Sequence, residues 1–376
     1  MFRSNPRIDR SINFFSLPKI FFEMLKNKEC HKPSITIATD LFELFFKYKT
    51  FPDHYGPCRL WEIDKSDWKY FYGSNYQSYQ KAKLLKTALP RNYSILFNDK
   101  SVCELLCRGI GVNQPQTYGT ISPDQNYKEM IYSWFADFTM DTLIVKPLFG
   151  SAGRGIVLAK NINNKIIIQS GTTQIPIQDF ALPTIAIVQE VIKQDNRMAV
   201  YSQNSLNTLR IVTMLTKNES IIIPAAIMRC GIGESYVDNW SAGGVGVGID
   251  CETGQLKKHA YDKYGNRYAE HPTSKVVFED FCIPEWPNVV ETAIKIQKAF
   301  PYYRILGIDI ALQENGIPVL IEINGNPDLL MMEQMCGPLL QVKQNLRAFG
   351  QYDLLINKHQ KKLFKSLQAH DSIKNA

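Results

Sequence analysis

An α+β fold is what this 376-residue sequence predicts, and three observations carry it. From Thr142 onward, short β-type runs are separated by Gly and Asn turns. One amphipathic helix, "EWPNVVETAIKIQKAF", interrupts those runs and is followed by a hairpin. The first 95 residues are rich in aromatics and Lys and read as mainly helical. Strands and helices mixed in this order favour α+β over a strictly alternating parallel sheet.

Taken in order, residues 1–95 show helix-like spacing in "DLFELFFKYKT" and "QSYQKAKLLKTAL" and no recognisable chemistry. At their start, Phe14, Phe15, Phe21, Phe22 and Leu25 lie among Arg7, Arg10, Lys19 and Lys26. The mixture fits a helix packed on its own domain, which the sequence favours, or peripheral membrane contact through residues 1–28. The apolar part is too short to span a bilayer, and Pro18 and Lys19 interrupt it.

Residues 96–195 open on a helix capped by Asn98 or Asp99 and continue into strands "TLIVKPL", "GIVLAK", "KIIIQS" and "TIAIVQEVI". Residues 196–335 hold "TLRIVTML", "SIIIPAAIMR", "GVGVGID", the amphipathic helix and the hairpin. Residues 336–376 read as a helical, basic tail whose end is expected to fray.

Hydrophobic residues at 45% and charged ones at 21% describe an ordinary globular chain. The net charge of +7 falls short of the footprint of a dedicated nucleic-acid binder, though it favours acidic substrates. Eight cysteines without a CxxC pair, and no secretion signal, lead us to expect reduced thiols and a cytoplasmic address.

The hairpin "GIDIALQENGIPVLIEINGNPDL" poses the chemical question. Asn315-Gly316 predicts a two-residue type I′ turn. Counting back from it sets Asp309 opposite Glu322, with Asn324 on the same face opposite Gly307. Two carboxylates roughly 4.5–5.5 Å apart at their β-carbons repel each other. A solvated sheet face or a hard cation between them would each account for the pair.

Four further patterns bear on that choice. Lys146 in a strand precedes Gly150, Ser151, Gly153 and Gly155, a loop able to turn backbone N–H groups toward an anion. Gln189, Glu190, Val191 and Ile192 end an apolar strand and can offer backbone groups to an adenine edge, with Asp195 nearby for a ribose. Arg210 stands inside an apolar strand and needs anionic partners. Arg229 ends the next strand, and Asn239 precedes Gly243-Gly244.

In this order the patterns resemble the ATP-grasp superfamily over residues 95–330. Within it, "NTLRIV", "VDNWSAGG", His271-Pro272 and "LIEINGNP" are similar to the sugar-transfer-associated ATP-grasp family. The resemblance implies ATP between two α+β subdomains, with Lys100 and Lys146 on its phosphates and the glycine loop closing over them. It implies an adenine hinge at Gln189–Ile192 and one or two Mg2+ ions, or Mn2+ in their place, on Asp309, Glu322 and Asn324. Arg210 would stand by the transferred phosphoryl group, while Arg229 and Asn239 complete the phosphate or acceptor side.

The implied activity is an ATP-dependent ligase that joins a carboxylate to an amine through an acyl phosphate, in surface-polysaccharide biosynthesis. The alternatives are a phosphotransferase and a non-catalytic nucleotide-binding subunit. Two departures stand out: Ser205-Leu206-Asn207 precede the strand Arg where related ligases carry an acid, and Asp328 follows Pro327 where Gly is common.

Overall fold

The computed structural model describes residues 5–138, 140–150, 153–233, 240 and 243–374. Helices α1 (Pro6–Phe14), α2 (Leu17–Lys26) and α3 (Ser34–Phe46) come first, then short 3-10 turns and α4 (Ser78–Thr87), α5 (Ile95–Asn98) and α6 (Lys100–Gly109). Asp99 caps α6 by accepting from the backbone N–H groups of Ser101 and Val102.

The six-stranded sheet is built from β1 (Thr117–Ile121), β2 (Thr142–Pro147), β3 (Val157–Ile162), β4 (Lys165–Ser170), β5 (Thr173–Pro176) and β6 (Ala186–Glu190), with α7 (Tyr127–Asp137) between the first two. Its order is β1-β6-β2-β3-β4-β5, and every pairing is antiparallel. Alternate residues such as Leu143 and Val145 face a core shared with Ile121, Ile131, Ala159 and Val188.

After α8 (Asn196–Ala199) comes the second sheet: β7 (Thr208–Leu215), β8 (Ile221–Cys230), β9 (Val245–Ile249), β10 (Leu256–Tyr261), β11 (Arg267–Tyr268), β12 (Ile305–Gln313) and β13 (Ile317–Asn324), with α9 (Trp286–Ala299) before the last pair. The order is β11-β10-β9-β8-β7-β12-β13, so β7 and β12 lie side by side despite their separation in sequence. Helices α10 (Leu329–Cys336), α11 (Lys343–Gln351) and α12 (Lys358–Lys374) complete the chain.

The core of the seven-stranded sheet takes in Tyr72, Leu84 and Phe97 from the N-terminal region. It also takes in Leu346, Phe349, Leu354 and Leu355 from the C-terminal helical region. A smaller core under α2 and α3 holds Met24, Ile37, Leu44, Tyr55, Trp61 and Trp68. This N-terminal unit is tied to the body by the buried Glu333, whose carboxylate accepts from the N–H groups of Tyr72, Gly73 and Leu339.

Candidate active site

The hairpin reaches the expected pairing by an unexpected route. Asn315 and Gly316 both take left-handed backbone angles, as a type I′ turn requires. The ladder nevertheless closes on Gln313 and Ile317, one residue out of the counted register. Ile310 then pairs with Leu320 while Asp309 pairs with Glu322, which leaves Ile321 as a β-bulge. The bulge restores the register and turns Glu322 and Asn324 to the face of Asp309; without it they would point to the opposite side.

The irregular turn has a visible cause. The segment after β6 runs along the hairpin tip: Gln194 bridges Gln313, the Asp195 N–H donates to the Leu312 carbonyl at 2.9 Å, and the Glu314 N–H donates to the Lys193 carbonyl at 3.0 Å. Lys193 and Glu314 also form an ion pair at 2.7 Å.

Across the strands, Arg210, Asp309 and Glu322 stand in one row. Asp309 is 2% exposed. Its Oδ1 accepts from Arg210 Nε at 2.7 Å, and its Oδ2 from Arg210 Nη2 at 2.7 Å and Arg229 Nη2 at 3.2 Å. Arg229 is aimed by Thr208, whose hydroxyl accepts from Nε at 3.0 Å and Nη2 at 2.6 Å. Burial pushes the Asp309 carboxyl up, but the two guanidiniums outweigh it and hold the group below the usual carboxylate range. Arginines, then, already balance the charge that seemed to need a cation.

Glu322 is in the reverse condition. Among the described residues its side chain makes neither hydrogen bond nor ion pair. Burial and then the facing Asp309 push its carboxyl above the ordinary range, against the pull of Lys100, Arg210 and Arg229. Asn324 lies beside them, its Nδ2 3.5 Å from Asp309 Oδ2, so its carbonyl oxygen remains a donor for a metal. Two carboxylates and an amide are hard oxygen ligands that fit Mg2+, with Glu322 supplying the charge still unbalanced. Among the described residues no group of three or more His, Cys, Asp and Glu gathers into a metal site.

The six-stranded sheet brings cations to the same place. Lys146, 9% exposed, donates to Gln189 Oε1 at 3.1 Å. Gln189 Nε2 donates to the Thr117 hydroxyl at 3.0 Å, which donates to Glu104 Oε2 at 2.6 Å. Burial pushes the Lys146 ammonium down to about 8, while the nearby Glu322 pulls it up and Lys100 lowers it further. Lys100 reaches across to the Gly150 carbonyl at 3.1 Å. Gly153 and Gly155 take left-handed angles, and a Cβ on Gly155 would come within 3.0 Å of Pro147.

The structure thus gathers Lys100, Lys146, Gln189, Arg210, Arg229, Asp309, Glu322 and Asn324, with Gly150 and Gly153 in the adjoining loop. Ser151 and Asn239 lie outside the described residues. Gln189 and Glu190 belong to the sheet ladder, and Glu190 is pinned to Gln116 through both its N–H and its side chain. Val191 and Ile192, beyond β6, keep backbone groups outside any ladder and are the part of the expected hinge able to meet an adenine edge.

The Asp195 carboxylate caps α8 and accepts from Arg197 Nε and Nη2 at 2.9 and 2.8 Å. Sequence reasoning missed Glu104 and Thr117, the support of Gln189, and it missed Asn75. Buried Asn75 donates to Asn326 Oδ1 at 2.8 Å and the Pro327 carbonyl at 2.9 Å, and accepts from the Leu329 N–H at 2.9 Å. It thereby fixes the loop that follows Asn324, and nothing local in "YGSNYQ" signals this.

A family model described as sugar-transfer associated ATP-grasp matches residues 79–347. A probable alpha-tubulin polyglutamylase, Ttll1, of Tetrahymena thermophila is 26% identical over 210 residues, which cover 50% of this chain and 48% of that protein. The chain spans about half the length of that curated relative. Among solved structures, the VanG D-Ala:D-Ser ligase from Enterococcus faecalis is 14% identical, with a TM-score of 0.44 over 71% of this chain and 64% of its own. The D-alanine–D-alanine ligase from Bacillus anthracis is 13% identical, with a TM-score of 0.40 over 76% of each chain.

Proposed function

The chain belongs to the sugar-transfer-associated ATP-grasp family, and from that premise we propose that it is an ATP- and Mg2+-dependent ligase joining a carboxylate to an amine. The reaction would run in two displacements. A carboxylate oxygen of the acceptor attacks the γ-phosphorus of ATP, and the bond to the β-phosphate oxygen breaks to release ADP. The amine nitrogen then attacks the acyl carbon, phosphate leaves with the bonding pair, and the nitrogen loses a proton.

The observation that carries this reading is the row Arg210–Asp309–Glu322 facing Lys146 and Lys100. When bound at Glu322, Asp309 and Asn324, Mg2+ supplies positive charge to the phosphate oxygens. Lys146 and Lys100 neutralise the triphosphate from the side of the other sheet. Lys146 is held for that task by Gln189, Thr117 and Glu104. Arg210 and Arg229, fixed by Asp309, present positive charge at the phosphoryl group without reorganising as it moves. The loop at Gly150, Ser151 and Gly153 limits water, and Val191–Ile192 receive the adenine edge.

Within this class we place the chain in surface-polysaccharide assembly, forming an amide between a sugar acid and an amino acid or amine. The family description supports the sugar connection, and the relative named as a polyglutamylase supports an amino acid as the nucleophile. Panels of sugar acids and amines with Mg–ATP test the proposal: ADP and free phosphate should appear in equal amounts, only when acid and amine are both present. ADP with phosphate retained on the acceptor would make the protein a phosphotransferase. Nucleotide binding without turnover on any pair would leave a non-catalytic subunit.

A further inference from the structure

Helix α1 is mounted inside out. Ile8, Ile12 and Phe15 follow helical spacing on one face, and Arg10 and Asn13 lie on the other. In a helix on the surface of a globular protein the apolar face turns inward. Here the polar face does: Arg10 stacks on the Phe45 ring at 3.8 Å and donates to the Lys49 carbonyl, and Asn13 donates to Gln77 Oε1 at 2.9 Å. No residue of α1 is buried, while Ile12 is 61% and Phe15 82% exposed.

Helix α3 extends the same surface. Its Ile37, Leu41 and Leu44 fill the N-terminal core, yet Ile35, Phe42 and Phe46, spaced for a second face, are 72%, 48% and 58% exposed. The rings of Phe14 and Phe15, and of Phe14, Phe42 and Phe46, approach within 6.4 Å of one another, so the patch is continuous between α1 and α3. Phe22 and Leu25 of α2 are exposed as well.

Charge narrows the choice of what covers this face. Glu29 pairs with Arg59, Glu43 with Lys47 and Lys65, and Glu23 with Lys19. Arg7, Lys26, Lys28 and Lys32 are exposed and form no ion pair among the described residues. A second copy docked by the same face would bring two such cationic borders together, which repel. A layer of anionic phosphates over hydrocarbon complements both the rings and the cations.

We propose that the face of α1, α2 and α3 docks on an anionic lipid bilayer, its phenylalanines entering the boundary between headgroups and acyl chains. No helix among the described residues is long and apolar enough to cross a membrane, and the proposed contact is a peripheral one. The proposal is independent of the ligase reading.

Vesicle co-sedimentation of the full chain tests it, using phosphatidylcholine alone and phosphatidylcholine with about 30% phosphatidylglycerol. The protein should pellet with the anionic vesicles at least about five-fold more than with the neutral ones, and salt near 0.5 M should reduce the difference. The double variant Phe15→Ser, Phe46→Ser should lose about five-fold or more of that binding. Its thermal midpoint and nucleotide affinity should stay at wild-type values, because neither side chain is core. Equal sedimentation with and without anionic lipid would overturn the proposal, as would undiminished binding by the double variant. A dimer in solution that the double variant abolishes, with no vesicle binding, would assign the face to a second copy instead.

Discussion

The two sheets meet at the site with opposite electrostatic faults. On the six-stranded side, Lys146 is buried with a neutral amide as its hydrogen-bond partner, and its ammonium is pushed down to about 8. On the seven-stranded side, Asp309 is fully balanced by two arginines, but Glu322 opposite it is not and its carboxyl is pushed up. One half lacks an anion and the other a cation. A metal–triphosphate, bound as proposed above, would supply both. Asp309 and Glu322 share a face and a register, yet two arginines hold the first and no side-chain hydrogen bond among the described residues holds the second. The difference can be broken residue by residue.

The largest effect falls on Asp309. Asp309→Asn removes a buried carboxylate that accepts from two guanidiniums and should destabilise the fold by about 3–5 kcal/mol, read by denaturant unfolding. Because the Asp309 carboxyl is lowered, its contribution is present above the unfolded carboxylate range and is lost as pH falls through the folded value. Glu322→Gln should do the reverse. Its carboxyl is raised, so the charge opposes folding at neutral pH, and the variant should melt at or above the wild-type temperature. Its Mg2+-dependent turnover should nonetheless fall by about 10²–10³-fold. Wild-type turnover in Glu322→Gln would remove this residue from the metal site.

Asn75→Ala sharpens the comparison from the side. It leaves the Leu329 N–H and two loop acceptors unpaired, at about 1–3 kcal/mol, and frees the segment after Asn324. The Mg2+ concentration for half-saturation should rise more than that for ATP; equal changes in both would reduce Asn75 to a packing role. The smallest effect concerns pH. Between about 8 and the ordinary lysine range, the unfolded chain holds a proton that folded Lys146 does not, so this group's drag on folding lifts as pH rises through 8. Nucleotide binding favours the protonated form, so affinity should drop up to about ten-fold from pH 7 to pH 9 and stay flat in Lys146→Met.

Much of this was legible in the sequence for local reasons. Alternation and glycine spacing placed β2–β4 and β6–β9 within a few residues, and the Asp309–Glu322 pairing followed from the turn. That pairing came out correctly through two offsets that cancel, a longer loop at the tip and a bulge at Ile321. What stayed hidden depends on partners far away in the chain. The arginines meet Asp309 because β7 lies against β12, and Asn75 meets Pro327 across some 250 positions. The mixture of aromatics and cations in residues 1–28 was plain too, but a mixture does not state which face of a helix turns inward.

The tie between the segment after β6 and the hairpin tip has a mechanical consequence. Val191 and Ile192 are the open stretch of chain joining the two sheets there, and the residues that follow, Lys193 to Asp195, are bolted to Leu312, Gln313 and Glu314. A rotation of the six-stranded sheet about that stretch has its fulcrum on the same hairpin that carries the carboxylates. In such a rotation Asp309 and Glu322 would stay near the pivot while Lys146 travels, so the distance between the two charge sets would change with the angle.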